Sequence, residues 1–384
     1  MRFKVVDSLL QWRNRILKRN NSEVLEENRT QSTEWICEPV GNECPSRSEN
    51  VRGMTFSPDG HHFATRDSKI INVWRTQDPS YPVYGTFSLS NPISLQYNED
   101  SRRLLIVYGL QDLNSTKYFL RISSLDFLLS TDPLETVPAT VLNYWWDRTH
   151  IMRLLKIQND VMVHRYRTTG SEISQVPIVV GYFPQEKIGP KTMLLALDDP
   201  GCDNSCQQKM MVFTRSSTKG SDCQSVICFK KINKEEGNSN LALCDHSIVF
   251  EEEVVTMKPS PDHHNLFVLT RTKDAGCELS LVNVTQFQLL GKVIKFNTIT
   301  AEPDLRPFFD VAVDSVAVCT KKKQISIFEN KFYSVAADLK YAVENISCIA
   351  ISPNGNNLLI ADKKKTLICR KQLEQGGFNS WIRS

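Results

Sequence analysis

No stretch of the 384-residue chain approaches the roughly 18 consecutive apolar residues of a membrane-spanning helix, so we expect no membrane span. A secretory leader is not expected either, because Asp7, Gln11, Arg13 and Arg15 interrupt the first apolar residues. The sequons at Asn20, Asn28, Asn114, Asn283 and Asn345 are then expected to stay unused. Charge imbalance is also missing: the net charge is +3 with 41% apolar residues, an ordinary composition for a folded chain. G-x-S-x-G, P-loop, H-E-x-x-H, Rossmann glycine and EF-hand patterns are all absent, which argues against an enzyme and against a bound cofactor. The cysteines at 202, 206, 223, 228 and 244 are off zinc-ligand spacing, and we expect loop or strand thiols in a reducing compartment. Cys348 and Cys369 fall in apolar strand patterns, where a free cysteine acts as a small hydrophobe.

What is present is a repeat. Residues 51–75, VRGMTFSPDGHHFATRDSKIINVWR, read as three short strands separated by two tight turns. In Ser57-Pro58-Asp59-Gly60, proline presets the backbone for the second turn position, aspartate tolerates the third, and glycine accepts a positive φ at the exit. The same order recurs at 346–371 around Ser352-Pro353-Asn354-Gly355 and at 254–274 around Ser260-Pro261-Asp262. It recurs in degenerate form at 93–109, where Asn98-Glu99-Asp100-Ser101 replaces the turn. His61, His62, His263 and His264 are thereby placed as turn-flanking residues rather than metal ligands. Ser57 to Asn98 spans 41 residues and Ser260 to Ser352 spans 92, or two units of about 46.

Repeats of this length built from short strands indicate a β-propeller with four-stranded blades. The F-S-P-D-G segment followed by Ile71-Asn72-Val73-Trp74 resembles the WD-repeat family, although Trp74 is followed by Arg75 rather than Asp. The expected fold is therefore all-β, a single seven-bladed propeller with six or eight blades as alternatives, preceded by a short amphipathic helix. The expected blades are 50–89, 93–142, 143–182, 183–248, 249–296, 297–340 and 345–371. The last has only three strands, and residues 34–40 are expected to complete it from the other end of the chain. Residues 34–371 form the propeller, with a loop-rich insertion at 200–243 and a tail at 372–384.

Residues 1–19 carry Leu9, Leu10, Trp12, Ile16 and Leu17 at helical spacing, with Arg13 among a set of basic neighbours, and residues 20–33 read as a polar linker. So short a helix needs a surface to bury its apolar stripe: the propeller, a partner protein or, if the helix is a targeting segment, a mitochondrial import receptor.

The turns between the second and third strands of four units are basic: Arg66 and Lys69; Arg271 and Lys273; Lys321, Lys322 and Lys323; and Lys363, Lys364 and Lys365. In a propeller these turns share one face, giving a basic rim suited to an acidic or phosphorylated protein segment. Aromatic residues are not interleaved with these lysines, so sequence-specific nucleic-acid binding is not expected. The resulting expectation is a non-enzymatic interaction scaffold or adaptor in a cytoplasmic or nuclear complex. As a specialisation, the layout resembles substrate receptors of cullin-RING ubiquitin ligases, with the N-terminal helix docking to the ligase adaptor. A propeller hydrolase is the third alternative, disfavoured because no ring of acids or metal ligands is visible.

Overall fold

The computed structural model describes residues 35–41, 51–89, 91–98, 100–112, 115–125, 134–135, 140–146, 150–157, 160–169, 172–174, 178–183, 193–198, 209–217, 224–232, 239–240, 244–272, 276–297, 309–321, 324–329, 334–340, 346–362 and 365–372. The chain over this span is all-β, and no helix occurs among the described residues. None among them is therefore long and apolar enough to cross a membrane. The expected helix and linker, with Leu9, Leu10, Trp12, Arg13, Ile16 and Leu17, lie outside the described residues.

The strands of the described residues form seven sheets, built mainly as antiparallel meanders in chain order. The chain opens with β1 (Trp35–Pro39). The first sheet is β2 (Gly53–Phe56), β3 (His62–Arg66), β4 (Ile70–Arg75) and β5 (Pro82–Ser88). The second is β6 (Pro92–Tyr97), β7 (Arg103–Asp112), β8 (Ser115–Ser124) and β9 (Leu134–Glu135). In the third, β10 (Thr140–Trp146), β11 (His150–Ile157), β12 (Asp160–Thr169) and β14 (Ile178–Phe183) are joined at β12 by the short β13 (Glu172–Ile173). The fourth is β15 (Leu194–Asp198), β16 (Lys209–Ser217), β17 (Gln224–Ile232) and β19 (His246–Phe250). Between β17 and β19, β18 (Ser239–Asn240) reaches to the third sheet and pairs in parallel with β14. The fifth sheet is β20 (Glu253–Pro259), β21 (Asn265–Arg271), β22 (Gly276–Asn283) and β23 (Gln288–Asn297). The sixth is β24 (Phe309–Val311), β25 (Ser315–Lys321), β26 (Gln324–Glu329) and β27 (Ser334–Lys340). The last contains β28 (Cys348–Ile351), β29 (Asn357–Ala361) and β30 (Thr366–Lys371), and its fourth strand is β1, antiparallel to β30.

Two expectations change. The third sheet begins at Thr140, inside the span given to the second unit. The stretch 200–243 is not an insertion, because it contains β16 and β17, the two central strands of the fourth sheet. The loop-like Gly, Ser, Asn and Lys residues are concentrated in the connections. The strands themselves carry Met210-Met211-Val212-Phe213 and Ile227-Cys228-Phe229, all buried.

Successive sheets share their cores, which explains why many strands read as unbroken apolar runs rather than alternating ones. On β7, Leu104, Ile106 and Tyr108 pack with Ala64, Ile71 and Val73 of the first sheet. The alternate residues Leu105 and Val107 pack with Ile151 and Tyr166 of the third. A strand covered on both faces needs apolar residues at both parities. Common cores likewise join the fourth sheet to the fifth, the fifth to the sixth, and the sixth to the last. Strand β10 of the third sheet neighbours β15 of the fourth. Phe56, Phe63 and Trp74 of the first sheet pack with Ala350, Leu359 and Ile368 of the last.

The repeated turn owes its form to four backbone positions. In the first sheet the Ser57 hydroxyl donates to the Asp59 carboxylate at 2.5 Å and accepts the His62 N–H at 3.0 Å, while Asp59 accepts the His61 N–H at 2.9 Å. The same bonds recur at Ser260, Asp262, His264 and Asn265, and at Ser352, Asn354, Asn356 and Asn357. In the degenerate copy Asn98 does the work of the serine, accepting from the Arg103 N–H at 2.9 Å. The fourth residue has positive φ in all four: Gly60 at 71°, Ser101 at 59°, His263 at 59° and Gly355 at 72°. His263 therefore occupies the glycine position of its turn, one place earlier than the flanking role the sequence suggested.

Candidate interaction surface

The hairpins joining the second and third strands also share a design. Asp67 donates its N–H to the Ile70 carbonyl at 3.0 Å, and its carboxylate accepts the N–H groups of Lys69 and Ile70 at 2.6 and 2.7 Å. Asp362 does the same in the last sheet, donating to the Lys365 carbonyl and accepting the Lys365 N–H at 2.7 Å. In the fifth sheet Thr272 substitutes its hydroxyl, accepting the Gly276 N–H at 3.1 Å. All three capping residues are buried, so each turn is anchored from below. This is the Asx-turn and ST-turn logic that favours aspartate and threonine at such positions.

The tips place three of the predicted rim cations. Lys69 and Lys365 are exposed. Arg271 is exposed too, with its guanidinium 4.0 Å from the Glu253 carboxylate, a spacing at which an exposed pair contributes little. Arg66 does not belong with them. It is half-buried at the end of β3, lies over Gly53, and donates from Nη1 to the Pro92 carbonyl at 2.8 Å, so it links the first sheet to the second. Lys321 ends β25 opposite Gln324. Lys273, Lys322, Lys323, Lys363 and Lys364 lie outside the described residues.

The opposite ends of the first, second and fifth sheets carry acidic turns. Asp59, Asp100 and Asp262 sit in the turns between first and second strands, tied to backbone N–H groups. Burial pushes the Asp59 carboxyl up, but the Ser57 hydroxyl, the His61 N–H and the neighbouring imidazoles outweigh it and hold the group below its usual range. Neighbouring turns touch: the Asp59 N–H donates to the Ser101 hydroxyl at 3.1 Å, and the Val313 N–H to the Pro353 carbonyl at 3.0 Å.

Two further polar clusters escaped the sequence reading. Asp310 on β24 binds the Lys258 ammonium of β20 at 2.9 Å with one oxygen and accepts the Ile351 N–H of β28 at 2.8 Å with the other. It joins the first strands of three consecutive sheets. Between the second and third sheets, Arg153 is 1% exposed, with Nη1 3.3 Å from the Tyr166 hydroxyl and its guanidinium 5.3 Å from that ring. His164 lies opposite Arg153 in the register, and burial, aided by the Arg153 charge, lowers its pKa. The available signal for Arg153 was its parity: it lies on the same face of β11 as the buried Ile151.

Cys348 is buried beside the Val51 carbonyl, and burial pushes its thiol up to about 11, which keeps it protonated and unreactive near neutral pH. Cys369 departs from expectation, since it is disulfide-bonded to Cys37 rather than free. Among the described residues no three His, Cys, Asp or Glu side chains converge to hold a metal ion. No protein-family model matches the chain, and no curated protein matches it.

Proposed function

We propose that the seven sheets are the blades of a seven-bladed β-propeller of the WD-repeat kind. Shared cores between successive sheets, with the first packed on the last, support this. So do the contact of β10 with β15 and the pairing of β1 with β30. On this reading β1 closes the propeller by completing the last blade.

The protein then works as a non-enzymatic interaction scaffold or adaptor that holds an acidic or phosphorylated segment of a partner protein. The observation that carries this is the recurrence of one buried-capped turn, at Asp67, Thr272 and Asp362, with exposed Lys69, Arg271 and Lys365 at or beside its tip. The first-to-second-strand turns of consecutive sheets touch at the other end, which supports a common orientation and a shared basic rim. Exposed ammonium and guanidinium groups spaced along such a rim suit carboxylates and phosphates distributed along an extended chain. The docking of an N-terminal helix to a ligase adaptor rests on residues 1–19, outside the described residues.

The test is fluorescence anisotropy with a polyglutamate peptide and a multiply phosphorylated serine peptide, using the full chain and its Lys69→Glu, Arg271→Glu, Lys365→Glu triple variant. We expect the intact chain to bind more weakly as salt rises, since exposed charges are screened beyond about 10 Å at 0.1 M. We expect the triple variant to lose at least about tenfold in affinity, or about 1.4 kcal/mol. Equal binding by both proteins, or none by the intact chain at low salt, overturns the reading.

A further inference from the structure

Strand β1 is the least embedded strand of the last sheet. None of its five residues is buried; Trp35 and Cys37 pack partly against the core, while Ile36 is 53% exposed. Its non-covalent ties among the described residues include its ladder with β30, the Glu38–Arg370 ion pair, and two bonds just beyond its end, Val40 N–H to the Thr366 carbonyl and Gly41 N–H to the Pro79 carbonyl. Pro39 has no N–H to add. In the ladder Cys37 stands directly opposite Cys369, and the two are disulfide-bonded across 332 residues of chain. A covalent bond thus sits on the least buried strand of the sheet.

We propose that Cys37–Cys369 is a redox-operated clasp, which holds β1 on the last sheet when oxidised and lets it detach when reduced. The two sulfurs are unequally accessible, because Cys37 is half-buried and Cys369 is fully buried. A dithiol reductant therefore attacks at Cys37. Its thiolate bonds to the Cys37 sulfur, the Cys37–Cys369 bond breaks, and Cys369 leaves as a thiolate that takes a proton. The reductant's second thiol then displaces Cys37, which is protonated in turn. The dithiol ends as a disulfide, and the protein has gained two electrons and two protons. Oxidised glutathione, itself a disulfide, reverses the process through a mixed disulfide on Cys37, forming two reduced glutathione molecules.

Without the bond, β1 is an edge strand with no fully buried residue, and short edge strands open locally far more readily than core strands. The rest of the sheet does not depend on β1: β28 and β29 are buried against the sixth sheet and the first. Detachment is therefore local, and it bares the β30 edge. The clasp needs only the pairing of β1 with β30 and stands independently of the rim and of the propeller reading.

The experiment uses the full chain, purified without reductant, alkylated with iodoacetamide and mapped by mass spectrometry. A linked peptide pair containing Cys37 and Cys369 is expected. Hydrogen exchange is then followed in the oxidised protein, after dithiothreitol treatment, and in Cys37→Ser. We expect exchange over residues 35–40 to accelerate at least about tenfold on reduction and in Cys37→Ser, while β28 and β29 keep their protection. Return of slow exchange with oxidised glutathione is expected in the natural chain and not in the variant. Full alkylation of both cysteines without reduction overturns the proposal, as does unchanged exchange at 35–40. Loss of protection across all the sheets overturns it too, by making the bond a general staple.

Discussion

Arg66 lies across Gly53 so closely that a methyl group on that glycine would stand 2.7 Å from its Nε. The two residues are register partners at the end of the β2–β3 ladder, and the guanidinium passes over the bare backbone to reach the Pro92 carbonyl of the next sheet. Gly53→Ala swings the flexible guanidinium aside, breaks its bond to the Pro92 carbonyl, and is expected to destabilise the fold by about 1 kcal/mol. Lys69→Ala, at the exposed tip of the same hairpin, should stay within about 0.5 kcal/mol. Urea denaturation of both variants checks the contrast.

The repeated turn makes a graded prediction. Gly60 has open space around it, so Gly60→Ala meets only the positive φ, a penalty of about 1 kcal/mol. Gly355→Ala meets the same φ and also brings a methyl to 2.7 Å from the Ser315 hydroxyl, so a loss of about 2–3 kcal/mol is expected. Equal midpoints for the two variants would refute the role of the inter-sheet contact.

Asp310 should matter more than its ion-pair partner. Asp310→Ala removes the acceptor of the Ile351 N–H as well as the Lys258 contact, for about 2–3 kcal/mol. Lys258 is 42% exposed at its side chain, so Lys258→Met should cost no more than about 1 kcal/mol. Thermal denaturation of the two variants at equal concentration measures the difference.

Acid should weaken the fold through two histidines. Burial lowers the pKa of His62 despite Asp59, and burial with the Arg153 charge lowers that of His164. As pH falls through the ordinary histidine value of about 6.5, the unfolded chain takes up protons at these positions before the folded one does. Stability is therefore full above that pH and declines below it, toward the lowered folded values. Melting curves from about pH 7.5 to about pH 5.5 should show this decline, and His164→Gln should flatten part of it.

Arg153 holds a charge in the core beside the Tyr166 hydroxyl and ring; its Nε and Nη2 have no hydrogen-bond partner among the described residues. Replacing a buried charge by an apolar side chain of similar length is often neutral or stabilising by roughly 1–3 kcal/mol. Arg153→Met is accordingly expected to raise the melting temperature or leave it unchanged. A marked drop would mean the guanidinium is satisfied by a group that the described residues do not include.

The local chemistry of the repeat was legible residue by residue. Proline, aspartate and glycine at 58–60 announce one backbone turn because each restricts or permits particular φ values, and apolar runs such as Leu104–Tyr108 announce strands. Even the degenerate Asn98–Ser101 copy could be aligned, since a side-chain oxygen at its first position meets the same N–H groups. The strand content of 200–243 was obscured because loop composition in the connections outweighed two short apolar cores. Other features depend on which strands end up side by side, and no local propensity encodes that. The removal of Arg66 from the rim follows from Gly53 lying beneath it. The bridge through Asp310 joins residues about 40 to 50 positions apart, and Cys37 meets Cys369 across 332. Turn geometry is determined within a few residues by steric limits on the backbone, so the sequence alone carried it. Ion pairs, buried charges and the covalent tie between β1 and β30 arise only when distant segments pack, so the tertiary structure decided them.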